Sequence, residues 1–132
     1  MSEADGCPDE LLMRLVRARD VDGVLAIVDL DRVAEAWCIA TAERLTATST
    51  DDRISNEWAE VFVRDCLPRA PHRHRDALLH LVAHAPSNDV LDCIGAGPFE
   101  DFLVSVPTEV QWMEARASED PRFQRAFDNM HF

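Results

Sequence analysis

An all-α fold follows from three features of the sequence. Apolar residues recur at three- and four-residue spacing along almost the whole chain, no segment alternates apolar and polar residues over more than a few positions, and β-branched residues are not clustered. The expected architecture is a compact single domain over residues 1–132, an array of about six to eight short helices, with helical-hairpin (HEAT-like) packing as one arrangement. At 132 residues the chain can bury a core without disulfide staples, and its 47% apolar share is ordinary for a globular protein.

Residues 1–7 are expected to fray. Pro8, Asp9 and Glu10 then open a helix, because proline at the first position loses no hydrogen bond and acids meet the positive end of the helix dipole. Leu11, Leu12, Leu15 and Val16 form its apolar face, and it ends near Arg19. Asp20 is placed to cap a second helix through Val28, which Gly23 weakens by about 1 kcal/mol relative to alanine. Asp29 or Asp31 caps a third, whose apolar set is Val33, Ala36, Trp37, Ala40, Ala42 and Leu45. Residues 46–54 are rich in Ser, Thr and Asp and read as a loop. Ser55 caps the next helix, which carries Trp58, Val61, Phe62 and Cys66 and is terminated by Pro68 and Pro71. A further helix runs from about His72 to Ala85 and is stopped by Pro86.

Ser87 or Asn88 starts a short helix with Val90, Leu91 and Ile94 on its apolar side, leading into a corner. Gly95 stands where a left-handed residue closes a helix, Gly97 where an N-cap is expected and Pro98 in a first turn, with Glu100 reaching back to the cap. Phe99, Phe102 and Leu103 bury one face of the helix that follows. Thr108 and Gln111 have capping-box spacing ahead of Val110, Trp112, Met113 and Ala117, and Asp120 with Pro121 starts the last helix, burying Phe123 and Phe127. Asp65, Cys66, Leu67 and Pro71 are echoed 27 residues later by Asp92, Cys93, Ile94 and Pro98, a hint of a duplicated hairpin.

The run from Ile94 through Gly95, Ala96, Gly97, Pro98, Phe99, Glu100, Asp101 and Phe102 to Leu103, followed by the segment from Ala117 to Ala126, resembles the C-terminal signature of a bacterial family of small proteins described only as a domain of unknown function. That family's core is of the type Leu-Gly-Ala-Gly-Pro-Leu-Glu-Asp-Leu-Leu, followed by an acidic helix and an Asp-Pro-x-Phe run. Its members often end near a Trp, whereas this chain ends Met130, His131 and Phe132. The resemblance implies a helical fold and no established activity, so no functional residue is carried over.

A net charge of −12 disfavours binding to nucleic acid or anionic lipid, both of which require a basic surface. No apolar run approaches the roughly eighteen residues of a membrane span, and the acidic N-terminus lacks a signal-peptide pattern, so a cytoplasmic location is expected. Residues 63–86 hold 4 Arg and 2 acids, a basic island between flanks that are both acidic. All thirteen basic side chains are Arg, a coding bias expected of a GC-rich bacterium. Cys7, Cys38, Cys66 and Cys93 contain no Cys-x-x-Cys pair and read as reduced thiols, mostly in apolar settings.

His72, Asp76, His80 and His84 fall at successive four-residue steps, the spacing of helical metal sites. Four groups on one ridge span roughly 18 Å, so only adjacent pairs such as His80 and His84 could share an ion. The zinc-protease Glu after the first His is also absent. No metal or cofactor is therefore assigned. Gly95 to Gly97 could offer N–H groups to a phosphate, but Glu100 and Asp101 would repel it. Glu100 with Asp101, Asp51 with Asp52 and Glu119 with Asp120 are neighbours in sequence and diverge on a helix, and no Ser has a nucleophile-elbow context, so no catalytic residue is assigned.

Arg69, Arg73 and Arg75 lie near a helix N-terminus, whose dipole they oppose, and such a local conflict makes them candidate contacts for a partner. Internal salt bridges to the chain's own acids are the competing reading. Trp37, Trp58 and Trp112 read as core anchors. Three function classes remain: an acidic interaction module, including an immunity or antitoxin protein, that docks a partner with a basic face; a metal- or ligand-binding protein using the histidine ridge; and an enzyme with Cys and His assembled in space.

Overall fold

In the computed structural model, residues 8–48 and 54–130 are described, so the expected fraying of residues 1–7 and much of the expected loop at 46–54 lie outside the described residues. The described chain is all-α with no strand. Helix α1 is Pro8–Arg17, α2 Val21–Ile27, α3 Leu30–Thr46, α4 Glu57–Val61, α5 Pro71–His84, α6 Asn88–Ile94, α7 Glu100–Ser105, α8 Val110–Glu119 and α9 Pro121–Asp128. Two π turns, Phe62–Cys66 and Gly95–Phe99, extend α4 and join α6 to α7. Short 3₁₀ turns at Leu67–Arg69 and Pro107–Glu109 precede α5 and α8.

Four caps form where short polar side chains precede helices. Asp20 Oδ1 accepts from the Gly23 N–H at 2.9 Å, Asp29 Oδ1 from Arg32 at 2.9 Å, Ser87 Oγ from Val90 at 3.2 Å and Asp120 Oδ1 from Arg122 at 3.0 Å. Two expected side-chain caps do not form. Asn56, in the left-handed region at φ 59°, precedes α4, while the Ser55 hydroxyl and N–H both donate to Glu43 on α3. The Pro107–Glu109 turn starts before Thr108 could cap, and no side chain caps α8.

Helix α3 is the central element, packed against α5, α4 and α6, while α9 lies across α8, α6 and the second π turn. Trp58, Phe62, Phe99, Phe102 and Phe123 are the largest wholly buried side chains. Phe99 packs against Phe123 with the rings tilted 41° and their centroids 4.7 Å apart, and Trp112 meets both Phe102 and Phe123 edge-on. Leu11, Leu45 and Val110 were expected to face inward but are exposed. Leu12 and Val16 fill the core side of α1, and Met113 and Ala117 that of α8, leaving the apolar stripes narrower than the spacing implied.

The expected corner at Gly95 is not a corner. Gly95 has φ −64° and ψ −44°, no described glycine has positive φ, and the chain stays helical from α6 through the π turn into α7. Gly97 and Pro98 sit inside that turn and Glu100 opens α7 without an N-cap, so the stop and start signals are both overridden. A π turn accommodates an internal proline because its wider hydrogen-bonded ring relieves the clash with the preceding turn. The two segments that echo each other also differ: Pro71 begins a helix, whereas Pro98 lies within one.

Arg122 fastens α9 to the end of α5, its Nη2 donating to the carbonyl oxygens of Val82 and Ala85, each at 2.6 Å. At this helix C-terminus the Val82 carbonyl otherwise accepts only a long bond from the Ala85 N–H, at 3.4 Å, so the guanidinium serves carbonyls that the helix itself satisfies poorly. Arg122→Ala is expected to lower stability by about 1.5–3 kcal/mol, the range for hydrogen bonds to a charged group, with Arg122→Lys recovering part of it in urea unfolding. Unchanged midpoints for the alanine variant would refute this capping role.

Candidate docking surfaces

His80 and His84 are brought together, but by a group that the four-residue arithmetic did not contain. His84 Nε2 lies 2.7 Å from Asp31 Oδ1 and His80 Nδ1 lies 3.4 Å from the same oxygen. With Asp29 serving as the cap of α3, Asp31 is left to face α5. The hydrogen bond from His84, aided by that from His80, holds the Asp31 carboxyl below its usual range despite some desolvation. His72 and Asp76 are exposed and no hydrogen bond joins them to the other two. Among the described residues, no group of three or more His, Cys, Asp or Glu is arranged to hold a metal ion.

Shallow grooves flank this contact. One, of about 280 Å³, is lined by Leu25, Leu30, Arg73 and His80, and the other, of about 410 Å³, by Cys38, Ile39, Ala42, His84 and Pro86 under the acids Glu35 and Glu43. Cys38 and His84 line the same groove, the kind of Cys/His neighbourhood an assembled thiol site would need. The chemistry is unfavourable there. Burial pushes the Cys38 thiol up to about 12, and its Sγ sits 3.7 Å from the Leu81 carbonyl oxygen as a donor. Burial also raises Cys66 and Cys93, so none of the three is poised as a thiolate.

The basic island divides. Arg75 stacks on the Trp112 ring, its guanidinium carbon 4.4 Å from the centroid, and lies 3.7 Å from Glu109. Arg73 approaches Asp22 at 3.9 Å, and Arg69 is exposed. His74, in the middle of the island, is wholly buried against the edge of Phe102, with ring centroids 5.2 Å apart. Neither of its ring nitrogens makes a hydrogen bond of acceptable geometry. Burial lowers its pKa to about 4, while the facing carbonyl of Pro98 in the π turn pulls weakly the other way.

A third recess lies between the first turn of α1 and the start of α4, with a volume of about 590 Å³. Met13, Ile54 and Trp58 supply its apolar lining, and Asp9, Glu10, Glu57 and Arg17 its charged lining. Arg44 holds Glu57 at 3.4 Å, but neither Asp9 nor Glu10 pairs with a cation among the described residues. Trp58 is 1% exposed, and its indole N–H is buried with no acceptor.

Fold and surface together define a compact all-α domain with a large acidic excess, in which no helix of the described residues is long and apolar enough to cross a membrane. The chain belongs to a family of unknown function (DUF6869), whose model matches residues 46–130, from the last residue of α3 to two residues past the end of α9. Neither curated proteins nor solved structures gave a match. His80, His84, both π turns and the Gly95 contact lie within the matched segment, whereas Asp9, Glu10 and Asp31 precede it.

Proposed function

We propose that this protein is a small acidic interaction module of a bacterial cytoplasm that docks a protein partner through that partner's basic face. The observation that carries the reading is the disposition of charge. Arginines are drawn into internal pairs, Arg44 with Glu57 and Glu60, Arg64 with Asp65, Arg75 with Glu109 and Arg125 with Asp92. The 25 acids outnumber the 13 arginines, so the surplus remains on the surface as negative potential. An immunity or antitoxin protein masking a basic nuclease site is the sharper form of this reading, since charge complementarity speeds encounter and rejects wrong partners.

Arg69, Arg73 and Arg75 enter as a second contact only through Arg69 and Arg73, because Arg75 is stacked and paired within the fold. The metal- or ligand-binding reading is weaker, since Asp31 already engages both His80 and His84.

The test is the salt dependence of association with a partner recovered from the native host. The partner is expected to be basic, and its association rate to fall steeply as the screening length shrinks from about 10 Å at 0.1 M salt to about 3 Å at 1 M. A salt-independent rate would refute electrostatic docking.

A further inference from the structure

We infer that the cleft between α1 and α4 is where a basic protein segment docks, its Lys or Arg side chain against Asp9 and Glu10 and one of its backbone carbonyls accepting from the Trp58 indole N–H. This rests on the interaction-module reading and gives it a place. Two independent observations meet at the cleft. Its rim holds three carboxylates, Asp9, Glu10 and Glu57, against one guanidinium, Arg17, and two of those carboxylates have no cation partner among the described residues. Trp58, which lines it, is 1% exposed and its indole N–H is unpaired, and a buried N–H without an acceptor costs as much as a lost hydrogen bond.

The chemistry of the occupant follows from these two needs. The rim calls for a cation and the indole for an acceptor, and a peptide with a basic side chain offers both within one residue. A lone metal ion or ammonium group would leave the indole unserved, and an anionic ligand would be repelled by the rim. Docking on the indole requires the wall to open, and Met13, which lines the cleft with Trp58, is its flexible, unbranched member. The grooves beside α5 meet neither need as well. Asp31 there is taken by His84, Glu43 by Ser55 and Glu35 by Arg32, and no buried donor waits without a partner.

The experiment uses the full chain, labelled with ¹⁵N and assigned by triple-resonance methods, titrated with a capped pentapeptide of alternating Arg and Ala. The Trp58 indole resonance is expected to move saturably, with those of Trp37 and Trp112 nearly still. Asp9→Asn with Glu10→Gln, both exposed positions, should weaken binding by about tenfold, and a pentapeptide with Glu in place of Arg should not bind. An unmoved Trp58 resonance at saturation, or equal affinity for the double variant, would overturn the site. If the native partner associates in a salt-dependent way yet binds the double variant unchanged, the cleft assignment falls and the module reading stands. If the peptide binds as expected while the native partner's association ignores salt, the cleft stands and the module reading falls.

Discussion

Gly95→Ala is expected to lower stability by about 2–3 kcal/mol, at the upper end for an overpacked contact, whereas Gly97→Ala, two residues away in the same π turn, should raise it by up to about 1 kcal/mol. A Cβ on Gly95 would run into the backbone carbonyl of Ala126 in α9, with the carbonyl carbon at 2.8 Å and the Asn129 Cβ at 3.2 Å. Backbone yields far less readily than the end of a side chain, so α9 must move away from the turn. That would disturb the Phe99–Phe123 contact that holds α9 to the turn and the Arg125–Asp92 pair at 2.9 Å that holds it to α6. Gly97 has nothing within 4 Å of where its Cβ would stand and no positive φ, so alanine there only narrows the unfolded ensemble.

The series separates two explanations of one residue. If Gly95 were needed for a left-handed conformation, Asn would be its least harmful replacement; because it is needed for close approach, the order of damage is Ala, then Asn, then Val. Urea unfolding of the set decides. Gly95→Ala as stable as the parent chain, or Gly97→Ala equally damaging, would show that the approach of α9 is not what fixes this glycine.

Those two glycines also mark where sequence reading fails. Helix existence was legible from apolar spacing, and the starts at Asp20, Asp29, Ser87 and Asp120 from cap chemistry, because both are local properties. Gly-x-Gly-Pro reads locally as termination, yet packing against α9 rewards a helix that continues, and a π turn absorbs the proline. Asp31 escaped as the partner of His80 and His84 because it lies 49 and 53 residues away from them in the chain. His74 was within reach: it sits three, four and seven residues before Ala77, Leu78 and Leu81, on the buried face of α5, and its flanking arginines disguised it as surface. The orphaned Trp58 N–H left no mark in the sequence, since whether an indole finds an acceptor depends on tertiary geometry alone.

Acidification from pH 7 to about pH 4 is expected to cost about 3 kcal/mol through His74, at about 1.4 kcal/mol per pH unit between its ordinary and its native pKa. The folded protein holds this ring neutral down to about 4, while the unfolded chain takes up the proton near 6.5. Stability is thus unaffected above about 6.5, falls as the pH drops toward 4, and stops falling from this cause once the folded form is protonated too. The other shifted acids leave most of that window to His74. Asp31, Asp65 and Asp92 have lowered pKa values, so the stability they add is lost only below the ordinary carboxylate range. Asp101 on α7 is raised by burial and by Glu100, and its protonation favours the folded state, offsetting the low-pH end. His74→Phe keeps a ring beside Phe102 and removes two unpaired nitrogens, so its stability at pH 7 should lie within about 1.5 kcal/mol of the parent. Urea unfolding of both proteins at pH 7, 6, 5 and 4.5 should give a falling curve for the parent chain and a nearly flat one for the variant. Parallel curves would show that the proton responsible binds elsewhere.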